Sequence, residues 1–191
     1  MSTTKYVSEL QNVNPSAIIE LFELEINQAV HGRDQTYYFH SGSSLNLNGE
    51  IKWNGNNYRR FPVQAEGFEY KGNQLPRPTL TISNATGLIS SVLLEVNGFS
   101  VGNDLLGAKF TRKRTAAKFL PNDNFDGNNP SGAVDESVED TQQIFTVARK
   151  ASESREAVQF ELRAALDMAN VKCPNRICTR KDFPSVGRFV G

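Results

Sequence analysis

Alternation between apolar and polar positions dominates this chain and predicts a succession of short β-strands. In residues 17–26, for example, Phe22, Leu24 and Ile26 share one face of an extended segment, and two glutamates share the other. Other segments are rich in the aromatic and β-branched residues that favour strands. The predicted strands are 17–26, 36–40, 51–61, 63–70, 79–82, 109–120, 143–151 and 157–165.

The block from Gly49 to Asn84 carries the strongest turn signals. Asn54-Gly55 suits a primed hairpin turn because both residues tolerate positive φ. Since Tyr58 and Phe61 follow, a loop longer than two residues stays open as an alternative. Pro76-Arg77-Pro78 marks a sheet edge or the entry to a strand, because proline donates no ladder hydrogen bond.

A second hairpin is predicted near the C-terminal end, with its turn at Ser152-Glu153-Ser154. Residues 155–168 also contain many helix-forming residues, so a helix is an alternative there. The alternation of Val158, Phe160 and Leu162 favours the strand.

One segment changes to a helical period and predicts the main helix of the protein. Its apolar positions follow helical spacing and Gly98 stands where the helix would end. Shorter helical segments are predicted at residues 3–13, as a helix or arm, and at 104–108. Residues 121–132 are the clearest loop. The apolar positions of the main helix are Leu88, Ile89, Val92, Leu93 and Val96.

Residues 109–120 combine strand character with five basic side chains, and we expect an exposed strand. Such a run could contact phosphate. An acidic run follows it, which favours a solvated strand whose charge is balanced locally or across a subunit contact. The basic residues are Lys109, Arg112, Lys113, Arg114 and Lys118, and the acidic ones are Asp135, Glu136, Glu139 and Asp140.

Composition narrows the class of protein further. A chain of 191 residues fits one domain with small appendages. Its net charge of zero argues against a general nucleic-acid binder. No apolar run is long enough to span a membrane, and no signal peptide is predicted at the N-terminus. We therefore expect assembly in a cytosol, where Cys173 and Cys178 stay reduced.

Candidate chemistry is sparse. Zinc and iron–sulfur sites usually need four ligands, whereas Cys173 and Cys178 stand alone and His31 and His40 lie far upstream. The favoured interpretation is free thiols, with a metal shared between subunits as an alternative. No nucleophile, metalloprotease or phosphate-loop motif occurs, and no acid/base carboxylate pair is identifiable. We predict no catalytic, cofactor-binding or metal-binding residues, and no enzyme activity.

Several short motifs of structural character occur along the chain: Trp53-Asn54-Gly55, Tyr58 with Phe61-Pro62-Val63, Gly67-Phe68-Glu69, Arg77-Pro78-Thr79-Leu80 with Ile82-Ser83-Asn84 and Gly87, Glu161-Leu162 with Ala165-Leu166-Asp167, and Val171-Lys172 with Pro174. Together they resemble the minor tail protein L family of lambda-like long-tailed phages. The resemblance covers roughly residues 16–175.

The resemblance implies a mainly β (α+β) fold, a tail-tube-like β-barrel or sandwich with one main helix, long loops and extended terminal arms. It divides the chain into an N-terminal arm (1–15), a tail-tube-like β domain (16–170) and an irregular C-terminal tail (171–191). Many members of the family add a domain that holds a 4Fe–4S cluster on four cysteines. With two cysteines, we expect the complete cluster domain to be absent here.

The implied function is structural: a virion protein of a siphovirus tail tip or baseplate, assembled in the host cytoplasm. The protein would form a closed ring of three or six copies that extends the tail tube and joins the distal tail protein to the central hub or tip fibre protein. A contact with the tape measure protein is also expected. DNA would pass through the lumen only transiently during ejection, and no stable membrane association is expected. The alternatives are a cluster- or metal-binding tail-tip protein with thiols from several subunits, and a tail-associated cell-wall hydrolase.

Overall fold

A computed structural model describes residues 2–42, 49–69, 75–164 and residue 183. Nine strands and three α-helices form from the predicted segments. The strands are β1 (Ile18–Ile26), β2 (Gln35–His40), β3 (Glu50–Trp53), β4 (Asn56–Arg60), β5 (Val63–Glu66), β6 (Thr79–Ser83), β7 (Lys109–Ala116), β8 (Gln143–Glu153) and β9 (Ala157–Ala164). The helices are α1 (Ser2–Leu10), α2 (Gln28–His31) and α3 (Leu88–Phe99), with 3₁₀ turns at Ala117–Phe119 and Asn122–Asn124.

All nine strands belong to one sheet in the order β3-β4-β2-β1-β7-β8-β9-β6-β5, and only the β2–β4 pair is parallel. The two ends of this sheet meet, because β4 leads directly into β5 through Phe61 and Pro62. The Phe61 N–H donates to the carbonyl of His40 (2.9 Å), and the Ser83 N–H donates to the carbonyl of Pro62 (2.9 Å). The bent β4–β5 segment therefore bridges β2 and β6 and closes the sheet into a barrel. The predicted mainly β fold is confirmed.

The β3–β4 hairpin turns on two residues, as the Asn54-Gly55 pattern predicts. Their φ angles are 50° and 77°, which a primed turn requires. Ile51 pairs with Tyr58 across the hairpin. The alternative of a longer loop is therefore wrong.

The barrel interior holds the first hydrophobic cluster, built from the inward faces of the strands. A line of aromatic rings runs through it: Phe39 packs on Phe22 (5.7 Å between centroids), Phe22 stacks on Phe110 (5.7 Å), and Phe110 stacks on Phe68 (6.5 Å). Phe68 reaches this position because Gly67 turns the chain after β5 with a φ of 84°.

A second hydrophobic cluster lies outside the barrel, on the outer face of β1, β2 and β7. The β3–β4 hairpin, α1 and the first 3₁₀ turn supply its other half. Its buried members are Tyr6, Leu21, Ile51, Trp53, Tyr58, Ala116, Phe119, Leu120 and Val138.

The helix predictions are confirmed in part. Helix α3 buries Leu93 and Val96 in the barrel core and continues one residue past Gly98, to Phe99. Helix α1 forms at the predicted N-terminal position. The helical segment predicted at 104–108 is wrong, because Asp104 and Leu105 adopt left-handed φ angles of 46° and 63°, which end a right-handed helix.

The strand predictions need two corrections. The strand at 109–120 ends at Ala116 and lies in the middle of the sheet, so its prediction as an exposed strand is wrong. The strand at 63–70 ends at Glu66, where Gly67 turns the chain. The second hairpin is confirmed and excludes the helical alternative for residues 157–164. Its turn lies at residues 154–156 and not at Ser152-Glu153-Ser154, because Ser152 and Glu153 still pair with β9.

Some predictions fall beyond the described residues. They are the turn that Lys71-Gly72-Asn73 predicts and, apart from residue 183, the segment 171–191 with both cysteines. The three-part division of the chain stays a prediction. Within the described part of the chain, no helix combines the length and hydropathy needed to cross a bilayer.

Candidate assembly surfaces

The basic run of β7 is neutralised inside this subunit. The Arg112 guanidinium pairs with Glu20, Lys113 Nζ lies 2.8 Å from Glu23, and Arg114 pairs with Asp140. Register explains the first two pairs, since β1 and β7 are antiparallel neighbours across the middle of the sheet. These ion pairs argue against phosphate contact by the run. The predicted charge balance is found within the subunit, but it is not local in sequence: Glu20 and Glu23 lie in β1, and of these three partners only Asp140 belongs to the predicted acidic run.

The most buried of these contacts is a network of Glu23, Lys113 and Tyr58. The Tyr58 hydroxyl donates to the Glu23 carboxylate, which also accepts from Lys113. Burial raises the pKa of Tyr58, and the hydrogen bond to Glu23 raises it further. The Tyr58 phenol therefore stays protonated and fixes the β3–β4 hairpin on β1.

Both histidines are buried in structural positions. The sequence His31-Gly32-Arg33-Asp34 predicts a turn, whereas in the structure His31 ends the short helix α2. Its Nδ1 lies 2.8 Å from Asn103 Oδ1. His40 Nε2 lies 3.0 Å from the Gly49 carbonyl oxygen. Burial lowers the pKa of His40, which keeps its imidazole neutral near pH 7.

Metal-binding geometry is absent from residues 2–42, 49–69 and 75–164, where no three His, Cys, Asp or Glu side chains group around one point. Cys173 and Cys178 lie outside the described residues. Their free-thiol and shared-metal interpretations both remain predictions.

The outer face of β8, β9, β6 and β5 is mostly polar and partly to fully solvent-exposed, with Ile144 of β8 as an apolar side chain that is 49% exposed. Within the described residues, none of its outward side chains belongs to either hydrophobic cluster. The Glu161 carboxylate accepts two hydrogen bonds from Arg149, from Nε at 2.7 Å and from a terminal nitrogen at 2.5 Å. The other outward side chains include Thr146, Gln159, Thr79, Thr81, Ser83, Gln64 and Glu66.

The edge of β3 is blocked against pairing with another strand. Asn124, on the loop predicted at 121–132, is fully buried against this edge. The Lys52 N–H donates to Asn124 Oδ1 (2.7 Å), and Asn124 Nδ2 donates to the Lys52 carbonyl (2.9 Å). The side-chain amide thus takes the place of a neighbouring strand, which protects the edge from uncontrolled association.

Helix α3 presents apolar side chains to solvent as well as to the core. Leu94 is 77% exposed, Phe99 61% and Leu88 49%. Large exposed apolar patches typically mark contact surfaces. The prediction of this helix considered only the apolar positions that follow helical spacing. Leu94 and Phe99 lie outside those positions, and apolar residues there were the sequence signal for an exposed apolar surface.

Several of the residues that carry the family resemblance and lie in the described part of the chain determine the fold. Phe61-Pro62 joins the two ends of the sheet, Gly67 aims Phe68 into the core, and Gly87 begins α3 at a φ of 70°. Asn84 is buried and connects two elements, since its Nδ2 donates to Ser90 Oγ and to the Ser154 carbonyl (both 2.9 Å). These described motifs thus specify the shape of the barrel.

A closed β-barrel with internally balanced charge and exposed apolar helix surface has the features of a structural assembly protein. Comparison with known sequences gives the family: the chain matches the model of Phage minor tail protein L over residues 29–185. The chain belongs to this family and is therefore a structural component of the phage virion tail, assembled in the host.

One curated relative is the Tail tip protein L of Escherichia phage lambda. The two sequences are 30% identical over 125 residues, which cover 64% of this chain and 49% of the relative. The chain thus matches about half the length of that relative.

Proposed function

We propose that this protein is a ring-forming component of a siphovirus tail tip or baseplate. The ring would extend the tail tube, connect the distal tail protein to the hub or tip fibre protein, and keep the DNA channel continuous. Contact with the tape measure protein is part of the proposal. Family membership and the name of the lambda relative support a position at the tip.

The main support for the proposed ring is the difference between the two outer faces of the barrel. One face is covered by the second hydrophobic cluster, whereas the β8-β9-β6-β5 face is mostly polar and uncovered. A hydrated face on which Arg149 is paired to Glu161 suits a channel wall, because this pairing lowers the attraction of the face for DNA phosphates. Arg163 lies on the same face. We therefore orient the β8-β9-β6-β5 face towards the lumen.

Ring closure follows from symmetry. Identical subunits that contact each other head to tail form a closed ring when the rotation between them completes a circle. The apolar exposed side of α3 offers one surface for such contacts. Three or six copies are proposed.

Electron cryomicroscopy of intact tails tests this function. The expected density shows a ring of this chain at the tip, with Thr81 and Gln159 facing the channel. A ring whose channel is lined by the β3–β4 hairpin would refute the orientation. Absence of the chain from purified tails would refute the function itself.

A further inference from the structure

An apolar cleft opens between helix α3 and the β3–β4 hairpin. Its volume is about 410 Å³, within the range of roughly 300–1,000 Å³ typical of ligand pockets. Tyr37, Phe39 and Phe61 line it from the sheet, and Leu88 and Val92 line it from the helix.

The cleft is open to solvent at its helix wall. Leu88 is 49% exposed although it is a large apolar residue. The core stripe of the same helix, Leu93 and Val96, is fully buried in the barrel. Val92 packs partly against the barrel core, so the apolar surface that exceeds what the core needs lies at Leu88.

The hairpin wall gives the rim of the cleft a positive group. The Arg59 side chain is 82% exposed and forms a loose ion pair with Glu50, its Nε lying 3.9 Å from the carboxylate. Asn57 lines the same wall and donates to that carboxylate at 2.5 Å. The terminal nitrogens of an exposed guanidinium can bind a second carboxylate through parallel hydrogen bonds, so Arg59 suits an acidic group at the rim.

We propose that this cleft docks a segment of a neighbouring tail protein that places a bulky apolar side chain between α3 and the hairpin and a carboxylate on Arg59. The carboxylate belongs to an Asp or Glu within two positions of the apolar anchor. The assignment to a tail protein rests on the proposed function, whereas the cleft chemistry can be measured on the isolated chain.

The first experiment uses anilinonaphthalene sulfonate, a probe that joins an apolar ring system to an anionic group. Titration of the purified full chain is expected to give saturable, blue-shifted fluorescence. Arg59→Gln weakens binding about tenfold, the size of one charge-assisted hydrogen bond. Arg60→Gln is the matched control, because Arg60 is an exposed neighbour that does not line the cleft.

Occupation of the cleft itself is tested by Val92→Trp and by Leu88→Asp. Both are expected to abolish saturable binding of the probe, and Leu88→Asp alters a half-exposed site, where the fold tolerates change. Unsaturable binding by the unaltered chain, or equal weakening by Arg59→Gln and Arg60→Gln, would overturn the proposal.

The second experiment identifies the partner segment in assembled tails. A photo-reactive amino acid at Leu88 is expected to cross-link to one peptide of another tail protein that carries the anchor and the carboxylate. The same group at Leu94, exposed on the same helix outside the cleft, does not reach that peptide. A cross-link to residues 165–191 of the same chain, a partner peptide without Asp or Glu, or no cross-link would overturn the proposal.

The two experiments separate the docking proposal from the tail-tip function. If the probe does not bind, the docking proposal is refuted and the tail-tip function is not. If the chain is absent from purified tails, the tail-tip function is refuted, whereas the binding measured at the cleft of the isolated chain still stands.

Discussion

The two outer faces of the barrel are built from strands with the same alternating pattern, but one face is buried and the other is exposed. On β1 and β7, the outward residues include Leu21, which lies beneath Trp53 and Phe119 in the second hydrophobic cluster. On β6 and β9, the outward residues are polar side chains such as Thr81 and Gln159. Alternation along a strand therefore does not reveal which face is buried, because a second layer of structure can cover the side away from the barrel interior.

Among the variants that test this difference between the two faces, Trp53→Ala is expected to lower the free energy of unfolding the most. Trp53 is fully buried in the second cluster, and removing a buried aromatic side chain costs about 3–5 kcal/mol. Thr81→Ala on the polar face is the control and should change stability by less than about 0.5 kcal/mol. Chemical denaturation measures both, and similar losses for the two variants would contradict the contrast.

The next largest effect is expected from the ion pairs on the two faces, of which one is shielded and the other is exposed. Lys113 and Glu23 are 13% and 15% exposed, so Lys113→Met leaves a shielded carboxylate with Tyr58 alone. We expect a loss of about 2–3 kcal/mol, somewhat below the cost of breaking a fully buried pair.

The exposed pair Arg149–Glu161 is the control, and Arg149→Met should have little effect because solvent screens that pair. A double-mutant cycle of Glu23→Gln with Lys113→Met measures the coupling. Additive losses would show that the two side chains do not stabilise each other.

Asn124→Ala removes the side chain that blocks the β3 edge. Two backbone groups of Lys52 lose their partner, and we expect a loss of about 1–2 kcal/mol. Self-association should also rise, because the edge becomes free to pair. Asn128→Ala, at an exposed position of the same loop, controls for local effects. Sedimentation velocity follows the association, and an unchanged distribution would show that Asn124 does not guard the edge.

The smallest effect is a pH dependence at His40, on the seam where the two faces meet. Burial is the main cause that lowers the pKa of His40 in the folded state. The positive charge of Arg60 lowers this pKa further, whereas the hydrogen bond to the Gly49 carbonyl raises it. The unfolded chain then binds a proton more readily, so stability is full above the unfolded pKa of about 6.5 and is lost as the pH falls below it.

Thermal denaturation between pH 7.5 and 5 measures this loss, which is limited to about 1.4 kcal/mol per pH unit for one proton. His40→Gln places an amide nitrogen near the position of Nε2, so it keeps a donor for the Gly49 carbonyl and removes the titration, and it should flatten the profile. An unchanged profile in this variant would assign the pH dependence to other groups.

Local patterns predicted much of the fold because they depend on neighbours in the chain. Asn54-Gly55 formed the hairpin turn, and the spacing of Leu93 and Val96 formed the buried stripe of α3. The segment 104–108 failed because Asp104 adopts a left-handed angle while its N–H bonds to Asn97 Oδ1 (2.8 Å). That contact to the preceding helix outweighs the local preference.

The candidate surfaces were less predictable. The cleft joins Tyr37, Arg59 and Leu88, which come from three elements far apart in the sequence. The basic run of β7 looked exposed because its partners Glu20 and Glu23 lie about 90 residues away in β1. No local pattern reports contacts of that range.

The sequence alone determined that this protein is mainly β, where its first hairpin turns, and, by its motifs, the tail family to which it belongs. Short-range backbone preferences and side-chain alternation suffice for those conclusions. Only the tertiary structure decided that the sheet closes through Phe61-Pro62, that one outer face is covered, and that β7 is a central strand. These depend on strand order and long-range packing, which arise only when distant segments bury their surfaces against each other.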